Sequence, residues 1–140
     1  MLSNNPYLNF MGNTEEAMRF YKSVLGGKLF ISRYGDVPGG EKMSAKEQGL
    51  VIHASLTFGQ DSLIMATDAL ESMGQKLIFG NNFFICQNME SEAEADKVFA
   101  AMSAGGKVIM PMNKTFWGAY FGMCSDKYGV QWMINHTIEG

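Results

Sequence analysis

The sequence predicts an α+β fold made of two βαβββ modules, and three observations predict it. The first is an internal repeat. Gly105-Gly106-Lys107 follows Gly26-Gly27-Lys28 after 79 positions, and Phe99 stands at the same offset from Phe20. A repeat of this length marks a duplicated structural unit. The second is that each glycine pair closes an amphipathic helical stretch that opens on a cap residue. The third is the closing stretch, residues 115–136, which alternates with period two on either side of a turn.

The first module opens with a short strand over residues 6–11, broken at Gly12-Asn13. Asn13 followed by Glu16 is a capping-box pattern. Ala17, Phe20, Tyr21 and Val24 then form a stripe at i, i+3, i+4, i+7. Gly26-Gly27 ends the helix, and residues 28–34 form the next strand. Residues 35–49 carry charges, glycines and Pro38 without periodicity, and read as a long loop, either a solvated connector or a lid. Residues 50–58 alternate as a strand, with Leu50, Ile52, Ala54, Leu56 and Phe58 on one face and Val51, His53, Ser55 and Thr57 on the other. Gly59-Gln60-Asp61 turns the chain into an antiparallel return strand over residues 62–67. The first module thus covers about 1–68, and residues 69–80 form a linker in which 69–73 can hold a helical turn.

The second module, about 81–140, repeats the order. Residues 82–87 open it as a strand, and Ser91 followed by Glu94 is a second capping box. Ala95, Val98, Phe99 and Met102 are the apolar stripe of its helix. Residues 107–110 form a strand. The final hairpin turns at residues 125–129, where Gly129 is free to take positive φ. Two such modules give mixed sheets, each with a helix on one face. The opposite faces are expected to close into a cup-shaped cavity.

Composition narrows the function. The net charge is −3, and no basic cluster is present to neutralise phosphates, so no nucleic-acid partner is expected. No run of 18 apolar residues appears, so no membrane partner is expected. The first ten residues have neither a charged start nor an apolar core, and read as no signal peptide. Cys86 and Cys124, the two cysteines, lie in apolar strand-like runs and suit free thiols in a reducing cytoplasm; sequence alone leaves a disulfide open. There is no C-x-x-C and no H-x-x-x-H, hence no metal site by spacing and no expected cofactor. Nor is there a G-x-S-x-G, a P-loop, a dinucleotide fingerprint or a glycine-rich methyl-donor site. Twelve methionines suit a core that fills irregular gaps, or an adaptable apolar pocket.

Among single residues, His53 on the polar face of its strand is the candidate catalytic group, as base, as hydrogen-bond donor to a ligand, or as a structurally satisfied imidazole. Trp117 and Tyr120 follow a polar segment and can rim the cup, where aromatic rings suit a small planar ligand. Ser55 shares the face of His53. Gln131, Met133 and Asn135 share the other inner face. Trp132 then points toward a helix, as core rather than as a stacking platform. His136, near the terminus, is expected to be exposed. Lys42 and Lys46 on the long loop are expected to be solvated.

The residues PYLNFMGNTEEAMRFYKSVLGG at the start, VIHASL in the middle and WGAYFGMCSDKYGVQWMIN at the end resemble the PhnB-like branch of the vicinal oxygen chelate superfamily, which includes glyoxalase I, the fosfomycin and bleomycin resistance proteins and the extradiol dioxygenases. The resemblance covers nearly the whole chain. It implies a homodimer, since relatives bury their sheet edges against one another and a free edge is a liability. In the metal-dependent members four inward positions supply His or Glu ligands to a divalent ion acting as a Lewis acid. Here those positions fall at Pro6 or Tyr7, at His53, near Asn82, and at Met133 where a Glu is expected. One good ligand of four does not hold such an ion. The resemblance therefore implies a small-molecule ligand lined by Tyr7, Ser55, Asn82, Trp117, Tyr120, Gln131 and Met133, with His53 as catalytic candidate and no metal. Two alternatives stay open: a metal-dependent lyase, isomerase or transferase using His53, and a metal-free sequestration protein of the bleomycin-resistance kind.

Overall fold

The computed structural model of the chain describes residues 1–138. The last two residues of the expected second module lie outside the described residues. The chain divides into two compact units, Met1–Ile78 and Phe79–Gly140. Each holds a four-stranded mixed sheet, and the described residues carry three α-helices, an α+β architecture. No helix among the described residues is long and apolar enough to cross a membrane.

In the first unit, β1 (Tyr7–Phe10), β2 (Lys28–Arg33), β3 (Val51–Phe58) and β4 (Ser62–Asp68) lie in the order β1-β4-β3-β2, with β1 parallel to β4 and the other pairs antiparallel. Helix α1 (Thr14–Leu25) packs on one face through Thr14, Ala17, Met18 and Tyr21, all fully buried. This stripe has the expected spacing but is turned from the predicted one. Met18 replaces Phe20 and Val24, which stay half-buried. The predicted cap also differs. The Asn13 side chain makes no cap hydrogen bond. Instead the carboxylate of Asp68, at the end of β4, accepts from the backbone N–H of Gly12 (2.9 Å) and Thr14 (3.0 Å). Its second oxygen accepts from Val51 N–H (2.9 Å). One buried aspartate thus ties the start of α1 and the start of β3 to the end of β4.

The β3 alternation breaks once. Ser32 pairs with His53 and Arg33 with Val51, so Ile52 is an extra residue on β3. Such a bulge rotates the chain by one residue. Val51 is therefore buried, against the expectation that it shares the polar face. Residues 35–49, expected as a structureless loop, contain two 3-10 turns and a single-turn helix, α2 (Ala45–Gln48), capped by Ser44, whose Oγ accepts from Glu47 N–H at 3.2 Å. Lys42 and Lys46 are exposed, as expected. The helical turn expected within 69–73 is a 3-10 turn, Glu71–Met73.

The second unit repeats the order as β5-β8-β7-β6, with β5 (Ile85–Asn88), β6 (Lys107–Lys114), β7 (Ala119–Ser125) and β8 (Gln131–Thr137). β5 starts at Ile85, three residues later than expected. The stripe of α3 (Glu92–Ser103) is as predicted: Ala95, Val98, Phe99 and Met102 are buried. Ser91 Oγ accepts from Glu94 N–H (3.0 Å). The Glu94 carboxylate accepts from Glu90 N–H (2.9 Å), one residue before the position a capping box would use.

The final hairpin buries Trp132, Ile134 and Cys124 completely on the α3 side. Burying an aromatic of this size contributes on the order of 3–5 kcal/mol relative to alanine. The small residues of β7 face the helix too. A Cβ on Gly122 would lie 2.9 Å from Phe99 Cε1 and 2.6 Å from Met112 Sδ, so Phe99 and Met112 fill the space that glycine leaves. Asp126 organises the turn: its Oδ1 accepts from the N–H of Tyr128 (2.8 Å) and Val130 (3.1 Å), and its Oδ2 from the indole Nε1 of Trp132 (2.8 Å). Gly129 takes φ 91°. The repeat shows again where β2 and β6 begin. A Cβ on Gly27 would sit 2.0 Å from the Thr57 carbonyl oxygen, and one on Gly106 2.1 Å from that of Ser125.

Candidate functional site

In each unit the residues that alternate with the buried set form a face of the sheet away from its helix. On the first sheet, register aligns Phe30, Ser55, Met65 and Tyr7 in one row across all four strands. In the neighbouring row Ser32 stands opposite His53 and Asn9 opposite Thr67. Tyr7 and Phe30 are 45% and 61% exposed, and Ser55, Met65 and His53 are half-buried.

The two rows are joined by a hydrogen bond. Tyr7 Oη and His53 Nδ1 are 3.0 Å apart, the phenol reaching diagonally over β4, with ring centroids 5.8 Å apart at 44°. The tautomer of the imidazole sets the direction of this bond. If Nδ1 accepts from the phenol, Nε2 carries the ring proton and acts as a donor. If Nδ1–H donates to the phenol oxygen, Nε2 is a base and the phenol proton can be given to a ligand. Desolvation, and secondarily Tyr34, raise the Tyr7 pKa above that of a free phenol, so Tyr7 stays protonated near neutral pH. The pair can thus donate and accept at adjacent atoms, the requirement for acid–base work on an oxygen-bearing ligand.

On the second sheet, the corresponding face aligns Cys86 with Met133, Met133 with Met123, and Met123 with Met110. The next row aligns Asn88 with Asn135, Asn135 with Phe121, and Phe121 with Asn113. Asn135 Nδ2 donates to Asn88 Oδ1 at 3.0 Å, and Cys86 Sγ lies 3.9 Å from the same oxygen. Desolvation raises the pKa of the Cys86 thiol. Cys124, on the buried face, is pushed up to about 11 by burial and by the nearby Asp126 carboxylate. Both cysteines are free.

The remaining predicted residues fall in different places. Asn82 lies in an exposed bend before β5. Gln131 is buried, its Nε2 donating to the Phe83 carbonyl at 2.6 Å. Trp117 sits in the turn between β6 and β7, 60% exposed, edge-on to Phe116 (5.0 Å) and Phe121 (6.1 Å). Tyr120 turns to the α3 side, where its hydroxyl donates to Asp96 Oδ1 at 2.5 Å; that bond raises its pKa. Met133 stands in the middle of the sulfur row. His136, expected to be exposed, is half-buried, and its Nδ1–H donates to the Met89 carbonyl at 2.9 Å. The structure therefore brings together Tyr7, His53 and Ser55, and separately Met133 with Cys86. Cys86 went unrecognised in the sequence, although the 79-residue offset maps Tyr7 onto it.

The family resemblance implies a divalent ion, and the donor chemistry does not fit one. The matching positions offer a phenol held protonated, an imidazole already bonded to that phenol, an amide and a thioether. None but the imidazole suits a borderline divalent cation. Among the described residues no three His, Cys, Asp or Glu side chains come together to hold a metal.

Comparison with known proteins agrees with the architecture. The family model described as 3-demethylubiquinone-9 3-methyltransferase matches residues 3–135. Protein YjdN of Escherichia coli strain K12 is 33% identical over 94% of this chain and 92% of its own length. Protein PA1353 from Pseudomonas aeruginosa superposes with a TM-score of 0.86 at 36% identity, over 99% of this chain and all of its own. A putative 3-demethylubiquinone-9 3-methyltransferase, PhnB protein, from Bacillus cereus superposes at 0.75 with 30% identity, over 96% of this chain and 99% of its own. A glyoxalase/bleomycin resistance protein/dioxygenase family enzyme from Burkholderia phytofirmans shares the fold, at 0.64 and 21% identity over 97% of this chain and all of its own.

Proposed function

The chain belongs to the PhnB-like family described as 3-demethylubiquinone-9 3-methyltransferase, within the glyoxalase/bleomycin resistance/dioxygenase superfamily, and on that premise we propose that it binds a small planar oxygen-bearing molecule against the helix-free face of its first sheet. The observation that carries this reading is the Tyr7–His53 hydrogen bond, set among Ser55, Met65 and Phe30. Phe30 and Met65 supply an apolar floor for a ring, and Ser55, Tyr7 and His53 supply hydrogen bonds at its edge, the mixture that small-molecule sites use. The reading is one of binding, with Tyr7 and His53 able to move a proton, and it needs no metal. It does not extend to methyl transfer, because the sequence has no glycine-rich methyl-donor motif.

The test is an NMR titration of the full chain with catechol, a planar molecule bearing vicinal oxygens, beside Tyr7→Phe and His53→Ala. The expected result is saturable shift changes at Tyr7, His53 and Ser55, with affinity weakened about 3–10-fold in Tyr7→Phe, as loss of one hydrogen bond implies. Equal binding by both variants, or shift changes that avoid these residues, would overturn the reading.

Assembly as a homodimer belongs to the same proposal. It is supported by the edge strand β6, where Val108, Ile109 and Met110 are 48%, 42% and 45% exposed. An apolar edge of this kind favours pairing with a second chain. Light scattering that gives one chain's mass, 15.5 kDa, at micromolar concentration would remove it.

A further inference from the structure

We infer that Thr67 is a positioning residue of the first-sheet site: its hydroxyl holds the peptide unit that leads into His53 and thereby aims the imidazole at Tyr7. The inference rests on the reading of this face as the binding surface. It adds a residue that acts on the pair through the backbone.

The geometry starts at the bulge. Ile52, the extra residue of β3, stands immediately before His53. A bulge takes a residue out of the regular ladder and re-aims the side chains beside it. The direction of His53 therefore depends on how the bulge is held. Register between β3 and β4 runs from Ala54 onward, with Ala54 opposite Ala66. Before Ala54, side chains from the end of β4 reach the bulged segment. Thr67 Oγ1 donates to the Ile52 carbonyl at 2.7 Å, with the Val51 carbonyl a longer second acceptor at 3.4 Å. The Asp68 carboxylate accepts from Val51 N–H at 2.9 Å. Consecutive residues of a strand project to opposite faces. The bulge is thus held by Asp68 from the α1 side and by Thr67 from the helix-free side.

The Ile52 carbonyl and the His53 N–H belong to one planar peptide unit. Fixing the carbonyl fixes the plane of that unit, and with it the φ of His53 and the direction of its Cβ. The contact that follows leaves little room for drift. Tyr7 Oη and His53 Nδ1 are 3.0 Å apart, and a separation beyond roughly 3.5 Å is no longer a hydrogen bond. Thr67 is half-buried and stands opposite Asn9 of β1, in the row next to that of Tyr7. Its hydroxyl has one proton, and the shorter contact commits it to Ile52. Threonine suits the task, because a β-branched side chain is stiff at χ1 and loses little freedom when aimed. Valine keeps that shape without the donor, and serine keeps the donor without the branch.

The experiment compares Thr67→Val, Thr67→Ala and Thr67→Ser with wild type and with Tyr7→Phe, all in the full chain. In the free protein, NMR reads the ¹⁵N resonance of His53 Nδ1 at about pH 8, above the ordinary histidine value, so that tautomer and hydrogen bonding set the shift. Tyr7→Phe supplies the resonance of an imidazole without its phenol. Thr67→Val and Thr67→Ala should move toward that value, and Thr67→Ser should stay near wild type. Catechol affinity should weaken about 3–10-fold in Thr67→Val, as in Tyr7→Phe. The double variant should be within about twofold of the weaker single one, because both changes break the same contact. A residue that only stabilised the sheet would change urea unfolding and leave the His53 resonance in place. Far-UV circular dichroism checks that each variant is folded. An unmoved resonance in both Thr67→Val and Thr67→Ala, or the same movement in Thr67→Ser, would overturn the inference. A wild type that leaves catechol unbound ends the binding reading instead, and the free-protein resonance still decides the role of Thr67.

Discussion

The indole Nε1 of Trp132 donates to Asp126 Oδ2 at 2.8 Å, and this bond joins the largest buried side chain of the second unit to the turn that precedes it. The same carboxylate accepts two backbone N–H groups through Oδ1. Asp126→Ala strands two buried donors, Val130 N–H and the Trp132 indole, and one part-buried donor, Tyr128 N–H. At about 1–3 kcal/mol for each buried unsatisfied group, the expected loss is about 2–6 kcal/mol. Trp132→Phe removes a single donor and some area, and should cost about 1–3 kcal/mol beyond the change in packing. Urea unfolding followed by circular dichroism measures both. An Asp126→Ala variant within 1 kcal/mol of wild type would refute the assigned role.

Asp68 plays a matching part in the first unit. Asp68→Asn keeps one acceptor oxygen but points an NH₂ group at a backbone donor, either at Val51 or at the start of α1. The expected cost is about 1–3 kcal/mol. Hydrogen exchange locates it: Val51 should lose protection if the NH₂ group faces β3, and Gly12 and Thr14 together if it faces the start of α1. Unchanged protection at all three would mean that the carboxylate is not the joint described here.

The two thiols should behave differently. Cys86 is exposed, whereas Cys124 is fully buried with its pKa pushed up to about 11 by burial and Asp126. Thiolate is the reactive form, so at pH 8 a disulfide reagent should label Cys86 first. Labelling of Cys124 should wait for unfolding. Simultaneous labelling of both in the folded protein would contradict this arrangement.

Glu15 gives a pH dependence with a definite sign. Its hydrogen bonds to Arg33 and then to Arg19, both 2.9 Å at their shortest, hold its carboxyl below the ordinary glutamate value. A lowered folded-state pKa means stability that is fully present above the unfolded value. It is lost as pH falls through the folded value. Glu15→Gln should therefore be less stable than wild type at pH 7, with the difference shrinking as pH falls below the ordinary glutamate value. Side-chain exposure of about a third on Glu15 and Arg33 limits the difference to roughly 0.2–1 kcal/mol. A gap that widens on acidification would reverse the sign and reject the assignment.

Much of this fold is legible in the sequence because its signals are local. The glycine pairs, the α3 stripe and the period-two hairpin each lie within a few residues of one another. What escapes is what needs strand order. Tyr7 and His53 are 46 positions apart and meet only because β4 lies between β1 and β3. Asp68 replaces Asn13 as the partner of the α1 start from 54 positions away. The bulge at Ile52 that buries Val51, and the late start of β5 that leaves Asn82 outside the strand, are register events that alternation alone does not encode. Cys86 was within reach, since the repeat that identifies the fold also superposes it on Tyr7.

Gly27 and Gly106 have a consequence of their own. At both, a side-chain carbon would collide with a backbone carbonyl of the following hairpin, so each copy of the module is constrained at the same point of its frame. The positions matched by Tyr7 and Cys86 carry no such restriction; one copy holds a phenol there and the other a thiol. The duplicated frame thus separates the residues that decide whether a module folds from those that decide what it touches. Substitution at the exposed face of one sheet leaves the glycine contacts that close both frames in place.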